Sequence, residues 1–345
     1  LGEAAEIRMR IEATCLKMNL VLTALAGLAV LVFLLTARAP LAEALLLAGF
    51  GATLTMRWFA RCFAFIKGRT GTAIASDLAY AGTLIAGLGG LLLSHHVEFL
   101  PATLVLLSAA GAGLLPFGKE FFRDQIAAID QGQIRDYRAI FRDLTRWSLF
   151  GVILTELTVN AHAYLVTFIS GPGPFALLAL GQILMRPASL VQSALPDLER
   201  PRMTRAIAAK ESCTVTHLMR DFRMALLMVW FATATLAAGI LVFAPGLLLK
   251  KGYAQHDVLL VTLITSFIML VRSFRTPPAT FMQAAGEFKA LVGIGIYTSV
   301  ISIVLTLGFL LTLGPIASLL GILTGEIIIL MRLNRMTADW RTSHG

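Results

Sequence analysis

Charge is what this sequence has least of. Asp, Glu, Lys and Arg make up 14% of its 345 residues, against about a quarter in a soluble domain. Its mean hydropathy of +0.79 and 57% hydrophobic content exclude a water-soluble globule. Cysteine is scarce too: Cys15, Cys62 and Cys213 form no metal-spaced cluster and no disulfide framework. There is no G-x-x-x-x-G-K-[ST], H-E-x-x-H or G-x-S-x-G motif, so neither ATP hydrolysis nor another hydrolytic activity is expected of the chain, and no cofactor. The net charge of +9 does not form a patch suited to nucleic acid. Its Lys and Arg residues lie between apolar runs, which is the positive-inside pattern of a membrane protein.

What the sequence does have is apolar runs long enough to satisfy their own backbone in hydrocarbon, which takes roughly 20 residues each. They predict an all-α polytopic membrane protein with about ten helices, at 18–37, 41–61, 71–93, 99–117, 147–169, 174–195, 224–245, 256–274, 290–313 and 315–333. Simple alternation puts Arg57, Arg61, Lys67 and Arg69, six basic residues in 118–146, six in 196–223, then Arg272, Arg275 and Lys289, and finally Arg332, Arg335 and Arg341, on one side. That side is expected to be the cytoplasm and to hold both termini, with Lys250 and Lys251 the exception. Segment 118–146 reads as an amphipathic interfacial helix or a solvated connector. It divides an N-terminal lobe, 1–117, with four helices, from a C-terminal lobe, 147–345, with six. A loose repeat pairs Arg57-Trp58-Phe59 with Arg272-Ser273-Phe274, each followed by a glycine before the next helix. Gly82, Ala86 and Gly90, and likewise Gly321 and Gly325, have the spacing of close helix contacts.

An ionised side chain at bilayer depth costs roughly 2.5–3.5 kcal/mol, so each one calls for a partner or a wet cavity. Asp77, Glu156 and Glu326 are candidates for ion coupling or for internal pairing. Glu156, Asn160, Tyr164 and Thr167 share one face of the fifth helix; Gln182, Arg186, Ser189 and Ser193 share one of the sixth, and together these stripes could line a cleft. Arg57 and Arg61, one turn apart, either snorkel or meet a phosphate-bearing substrate, and Arg186 either anchors the interface beside Pro187 or does the same.

Tyr137-Arg138-Ala139-Ile140-Phe141-Arg142 through Trp147-Ser148-Leu149-Phe150-Gly151, then Gly181-Gln182-Ile183-Leu184-Met185-Arg186-Pro187, resemble the middle of polysaccharide exporters of the O-antigen flippase type. So do Gln283-Ala284-Ala285-Gly286-Glu287-Phe288-Lys289 and Gly321-Ile322-Leu323-Thr324-Gly325-Glu326. These exporters belong to the multidrug, oligosaccharidyl-lipid and polysaccharide exporter superfamily. The resemblance, over roughly 55–335, implies a twelve-helix fold of two six-helix lobes, with the first hairpin expected to precede residue 1. It further implies a lipid-linked oligosaccharide as substrate, moved by alternating access across the bacterial inner membrane, with membrane lipids and polysaccharide-assembly proteins as neighbours. Phosphates would fall to Arg57, Arg61 and Arg186, and cation coupling to Glu156 and Asp77. A cation-coupled drug antiporter of the same fold and a non-transporting scaffold stand as alternatives.

Overall fold

The computed structural model describes residues 2–95, 98–247 and 253–344, and among them no strand occurs. His96, Lys250 and Lys251 lie outside the described residues. The chain divides into two compact units, Leu1–Arg142 and Asp143–Gly345.

The first unit holds α1 (Gly2–Thr36), α2 (Leu41–Ile66), α3 (Thr70–Leu93), α4 (Phe99–Leu114), α5 (Gly118–Gln131) and α6 (Ile134–Ile140). Its core is built of small residues: Ala44, Ala60, Ala73, Ala109 and Ala110 are all fully buried. That lets helices approach until a side chain added at Gly27 would sit 3.2 Å from the Ala52 methyl. The α1 helix starts well before its apolar run, because its polar first half has partners. Arg10 pairs with Asp136 at 2.6 Å and Glu12 with Lys67 at 2.6 Å, while the Lys17 ammonium donates to the Ile129 and Gly132 carbonyls at 2.6 and 2.9 Å. The last two bonds cap the negative C-terminal end of α5. Residues 118–140 are therefore pinned along α1 by their buried face of Phe121, Gln125 and Ala128. Their other face exposes Phe122, Ile126 and Ile129.

The second unit holds α7 (Arg146–Ser170), α8 (Pro172–Leu184), α9 (Arg186–Ala208), α10 (Ser212–Phe243), α11 (Gln255–Ala284), α12 (Phe288–Leu313) and α13 (Ser318–His344). Two of its turns share a design: Gly171 (φ 87°) before Pro172, and Gly314 (φ 92°) before Pro315. The glycine takes a positive-φ, extended conformation that a residue with a Cβ rarely adopts, which ends the helix, and the proline keeps the next segment from extending it.

The ten expected helices are all present, with α1, α10 and α13 longer than expected and two others changed in kind. The one expected at 174–195 is two helices, α8 and α9, bent by 61°. Pro187 in the first turn of α9 lacks the N–H that would carry the ladder across. The helix expected to stop at 274 runs on to Ala284 through Pro277 and Pro278, both buried inside the unit. Seven helical spans, or eight with the bent pair, are long and apolar enough to cross a bilayer. The other two, α2 and α13, carry Arg57, Arg61 and Glu326, whose charges are met by ion pairs within each unit. The chain is thus an all-α, multi-pass membrane protein.

Of the two small-residue seams, only one is closed. A methyl group at Gly321 would collide with the Thr306 backbone and one at Gly325 would lie 2.7 Å from Ser302 Cβ, whereas Gly82 and Gly90 face open space. Backbone cannot yield as a side chain does. Gly321→Ala is therefore expected to destabilise the protein by about 1–3 kcal/mol, the usual cost of overpacking. Gly308→Ala, with nothing near it, should leave the melting temperature in detergent unchanged, and thermal unfolding of the two variants side by side checks this.

Candidate functional site

The first unit gathers a charge cluster where α2, α3 and α4 meet, with Arg57 buried and Asp77 half-exposed. Arg57, only 7% exposed, places its Nη2 2.5 Å from Asp77 Oδ1 and its Nε 3.2 Å from Ser76 Oγ. Ser76 in turn donates to the Gly113 carbonyl at 2.6 Å. The Arg57 guanidinium lies 4.3 Å from the centre of the Tyr80 ring, and Arg61 Nε reaches the same Asp77 oxygen at 3.0 Å. Gly113 leaves room for this: any side chain there would strike Arg57 Nε. The pairing fits the charge-in-hydrocarbon rule, since two cations share one anion and the flat Arg57 group is further satisfied by a hydroxyl and an aromatic face.

The second unit repeats the arrangement with other residues. Arg272 Nε lies 2.7 Å from Glu326 Oε1, and Arg275 Nη1 lies 3.0 Å from Oε2, with Glu326 only 6% exposed. Here the two arginines sit three residues apart on α11 and the acid is on α13. This cluster borders a cavity. A cleft of about 580 Å³ opens among α7, α8, α9, α11, α12 and α13, walled by Arg186, Arg272, Arg275, Glu156 and Glu326 together with Gln182, Gln283, His162 and a series of Ser and Thr residues. Three arginines face two carboxylates, so the wall is positive by one charge.

The sequence-predicted residues distribute as follows. Glu156, Gln182, Arg186 and Glu326 all line the cleft. Asn160 does not; its Nδ2 donates to the Glu156 carbonyl oxygen at 2.8 Å and approaches the Glu156 carboxylate at 3.4 Å. Tyr164 is 72% exposed and stands outside the lining: two further turns of α7 carry it about 80° round from Glu156, which takes the stripe off the cleft. Arg57, Arg61 and Asp77 belong to the first unit and are engaged with one another. Asp77 and Glu326, both candidates for ion coupling, are each met by two guanidinium groups.

Arg272 and Arg275 were not among the expected site residues. Arg272 stands in the last turn of the helix expected to end at 274 and Arg275 just beyond it, and both count as charges of the cytoplasmic side. His162 also lines the cleft, buried, with Nε2 3.0 Å from Ser318 Oγ. Since Ser318 commits its proton to the Pro315 carbonyl, its oxygen accepts from the imidazole, so the second unit's α7 and α13 are tied through a neutral donor.

The fold is similar to that of solved MATE transporters. A mutant form of the Vibrio cholerae MATE transporter VcmN superposes with a TM-score of 0.76 at 14% identity, over 95% of this chain and 78% of that one. A MATE in the straight conformation gives 0.77 at 14% identity over 97% and 82%. An outward-facing multidrug resistance MATE family transporter of the MOP superfamily gives 0.69 at 12% identity over 97% and 81%. Identity at this level establishes the fold alone. No protein-family model matches the chain, and no curated protein does.

Removing one partner from a buried ion pair strands the other charge, at about 3–5 kcal/mol. Glu326→Gln, which leaves Arg272 and Arg275 facing each other, should therefore lower thermal stability in detergent far more than Glu156→Gln at an exposed position. Equal melting temperatures for the two variants would show that the triad contributes no stability.

Proposed function

We propose that this chain is a transporter that moves a lipid-linked oligosaccharide from the cytoplasmic to the outer leaflet of the bacterial inner membrane by alternating access. Both ends of the chain lie on the cytoplasmic side in this reading. The observation that carries it is the sign of the cleft: Arg186, Arg272 and Arg275 against Glu156 and Glu326. A polyprenyl pyrophosphate is dianionic or more, and guanidinium groups meet phosphate oxygens with two parallel donors. Its lipid tail can stay in the bilayer while the headgroup enters the cleft. A membrane scaffold for polysaccharide assembly has no need of such a cavity, although polysaccharide-assembly proteins are natural neighbours for a flippase.

One observation favours a second reading, a cation-coupled drug antiporter of the same fold. Glu156 faces the cleft with Asn160 as its described partner, and an acid in a wet cleft can hold a proton, a sodium ion or an amine.

Proteoliposomes separate the two. The flippase reading expects wild-type protein to transfer a fluorescent polyprenyl-pyrophosphoryl oligosaccharide between leaflets. It expects Arg186→Ala to slow this about tenfold or more, since a hydrogen bond to a charged group contributes about 1.5–3 kcal/mol. Efflux of a cationic dye driven by a proton or sodium gradient, with no lipid transfer, would establish the antiporter instead.

A further inference from the structure

We infer that the cleft is divided into a donor wall and an acceptor wall, and that the acceptor wall selects neutral sugars over acidic ones. This inference rests on the flippase reading above and extends it to the sugar that the cleft takes.

The donor wall is the three arginines, which carry only N–H groups. The acceptor wall is formed by α7 and α12, through Thr155, Glu156, Thr158, Thr298, Ser299 and Ser302. A hydroxyl can in principle donate as easily as accept, but the protons of this wall are committed. Thr155 donates to the Gly151 carbonyl at 2.9 Å, Thr298 to that of Ile294 at 2.8 Å and Ser302 to that of Gly321 at 3.3 Å. Thr158 lies 2.7 Å from the Leu154 carbonyl and 2.8 Å from Ser299 Oγ. A carbonyl can only accept, so the Thr158 proton goes to Leu154 and the Ser299 hydroxyl completes the bond to Thr158. Thr155 is exposed and Thr158 half-buried, so these two present lone pairs to the cleft, while Thr298, Ser299 and Ser302 are buried and hold the wall in place. Glu156 adds a carboxylate that lies among them and, among the described residues, is not held by an arginine, unlike Glu326.

A wall of lone pairs with one negative charge is complementary to a ligand rich in O–H or N–H donors. Sugar hydroxyls are such donors. A uronic acid carboxylate is not: it brings a second negative charge and no proton to share, and it would face Glu156 across a confined cleft. The two walls together match a molecule with an anionic linkage at one end and neutral, hydroxyl-bearing sugars at the other. Glu156 is the residue that excludes acid, and Thr155 and Thr158 are positions that favour hydroxyl donors.

The test uses two fluorescent polyprenyl-pyrophosphoryl disaccharides that differ only at one C6, a hydroxymethyl in one and a carboxylate in the other, in proteoliposomes holding equal amounts of the protein. Wild type is expected to move the neutral lipid at least tenfold faster. Glu156→Gln should raise the rate for the acidic lipid several-fold and close most of that gap. Thr155→Val, at an exposed position that does not threaten folding, should slow the neutral lipid several-fold and leave the acidic one as slow as before. Equal wild-type rates for the two lipids, or a gap unchanged in Glu156→Gln, overturn the inference while leaving the flippase reading intact. Transfer of neither lipid by wild-type protein overturns both.

Discussion

Two arginines sharing one carboxylate is the arrangement on which each unit depends. Arg57 and Arg61 on α2 converge on Asp77 of α3, and Arg272 and Arg275 on α11 converge on Glu326 of α13. Neither set is a pairwise neutralisation: one positive charge is left over each time. In hydrocarbon that surplus must be met by dipoles, ring faces or water. The first unit meets it internally, with Ser76, the Tyr80 ring and the space that Gly113 leaves. The second meets it by opening a cleft beside the cluster. The same charge count thus serves a joint between helices in one unit and a candidate binding wall in the other.

That contrast explains the packing around each cluster. A joint between helices needs them close together, and the first unit is lined with fully buried alanines. A cleft needs helices held apart on one side and clamped on the other. In the second unit the clamp is the α12–α13 seam, where Gly321 and Gly325 admit Thr306 and Ser302, and the α8–α11 contact, where Gly181 lies against Val261 and Thr265. The bend at Met185 belongs to the same design. It lets α8 and α9 both lie against α11 in different directions, and Gln192 of α9 braces α11 through the Met269 carbonyl and Ser273 Oγ at 2.8 and 2.9 Å.

Much of this was legible in the sequence, and the parts that were not share a physical cause. Apolar runs reveal a helix only where it meets lipid, so the ten helices were visible but the polar first turns of α1 were not: they are helical because Arg10, Glu12 and Lys17 find partners more than fifty residues away. Proline is a local signal whose outcome depends on tertiary context. Pro187 marks a real break, while Pro277 and Pro278 are absorbed into α11 by burial. Arg272 and Arg275 escaped the expected site because basic residues at and beyond a helix end count first as cytoplasmic-side charges. Glu156, Gln182 and Arg186 could be found because depth and periodicity together place them on cleft-facing arcs. Tyr164 shows the limit of that reasoning: a stripe about 80° wide is broader than the opening it was meant to line.

The hydroxyls of α7 and α12 were the least legible of all, because a helical Ser or Thr looks the same in sequence whether its proton is free or already donated. In a helix the carbonyl one turn back is always in reach, so the proton is committed by default and the residue turns from an ambivalent group into an acceptor. A transmembrane wall of such residues therefore has a polarity of its own without carrying charge. Sharing a cleft with guanidinium groups that can only donate, it gives the cleft an orientation for any ligand with unlike ends. The arginines would hold an anion wherever it entered, and the acceptor wall would decide what may be attached to it.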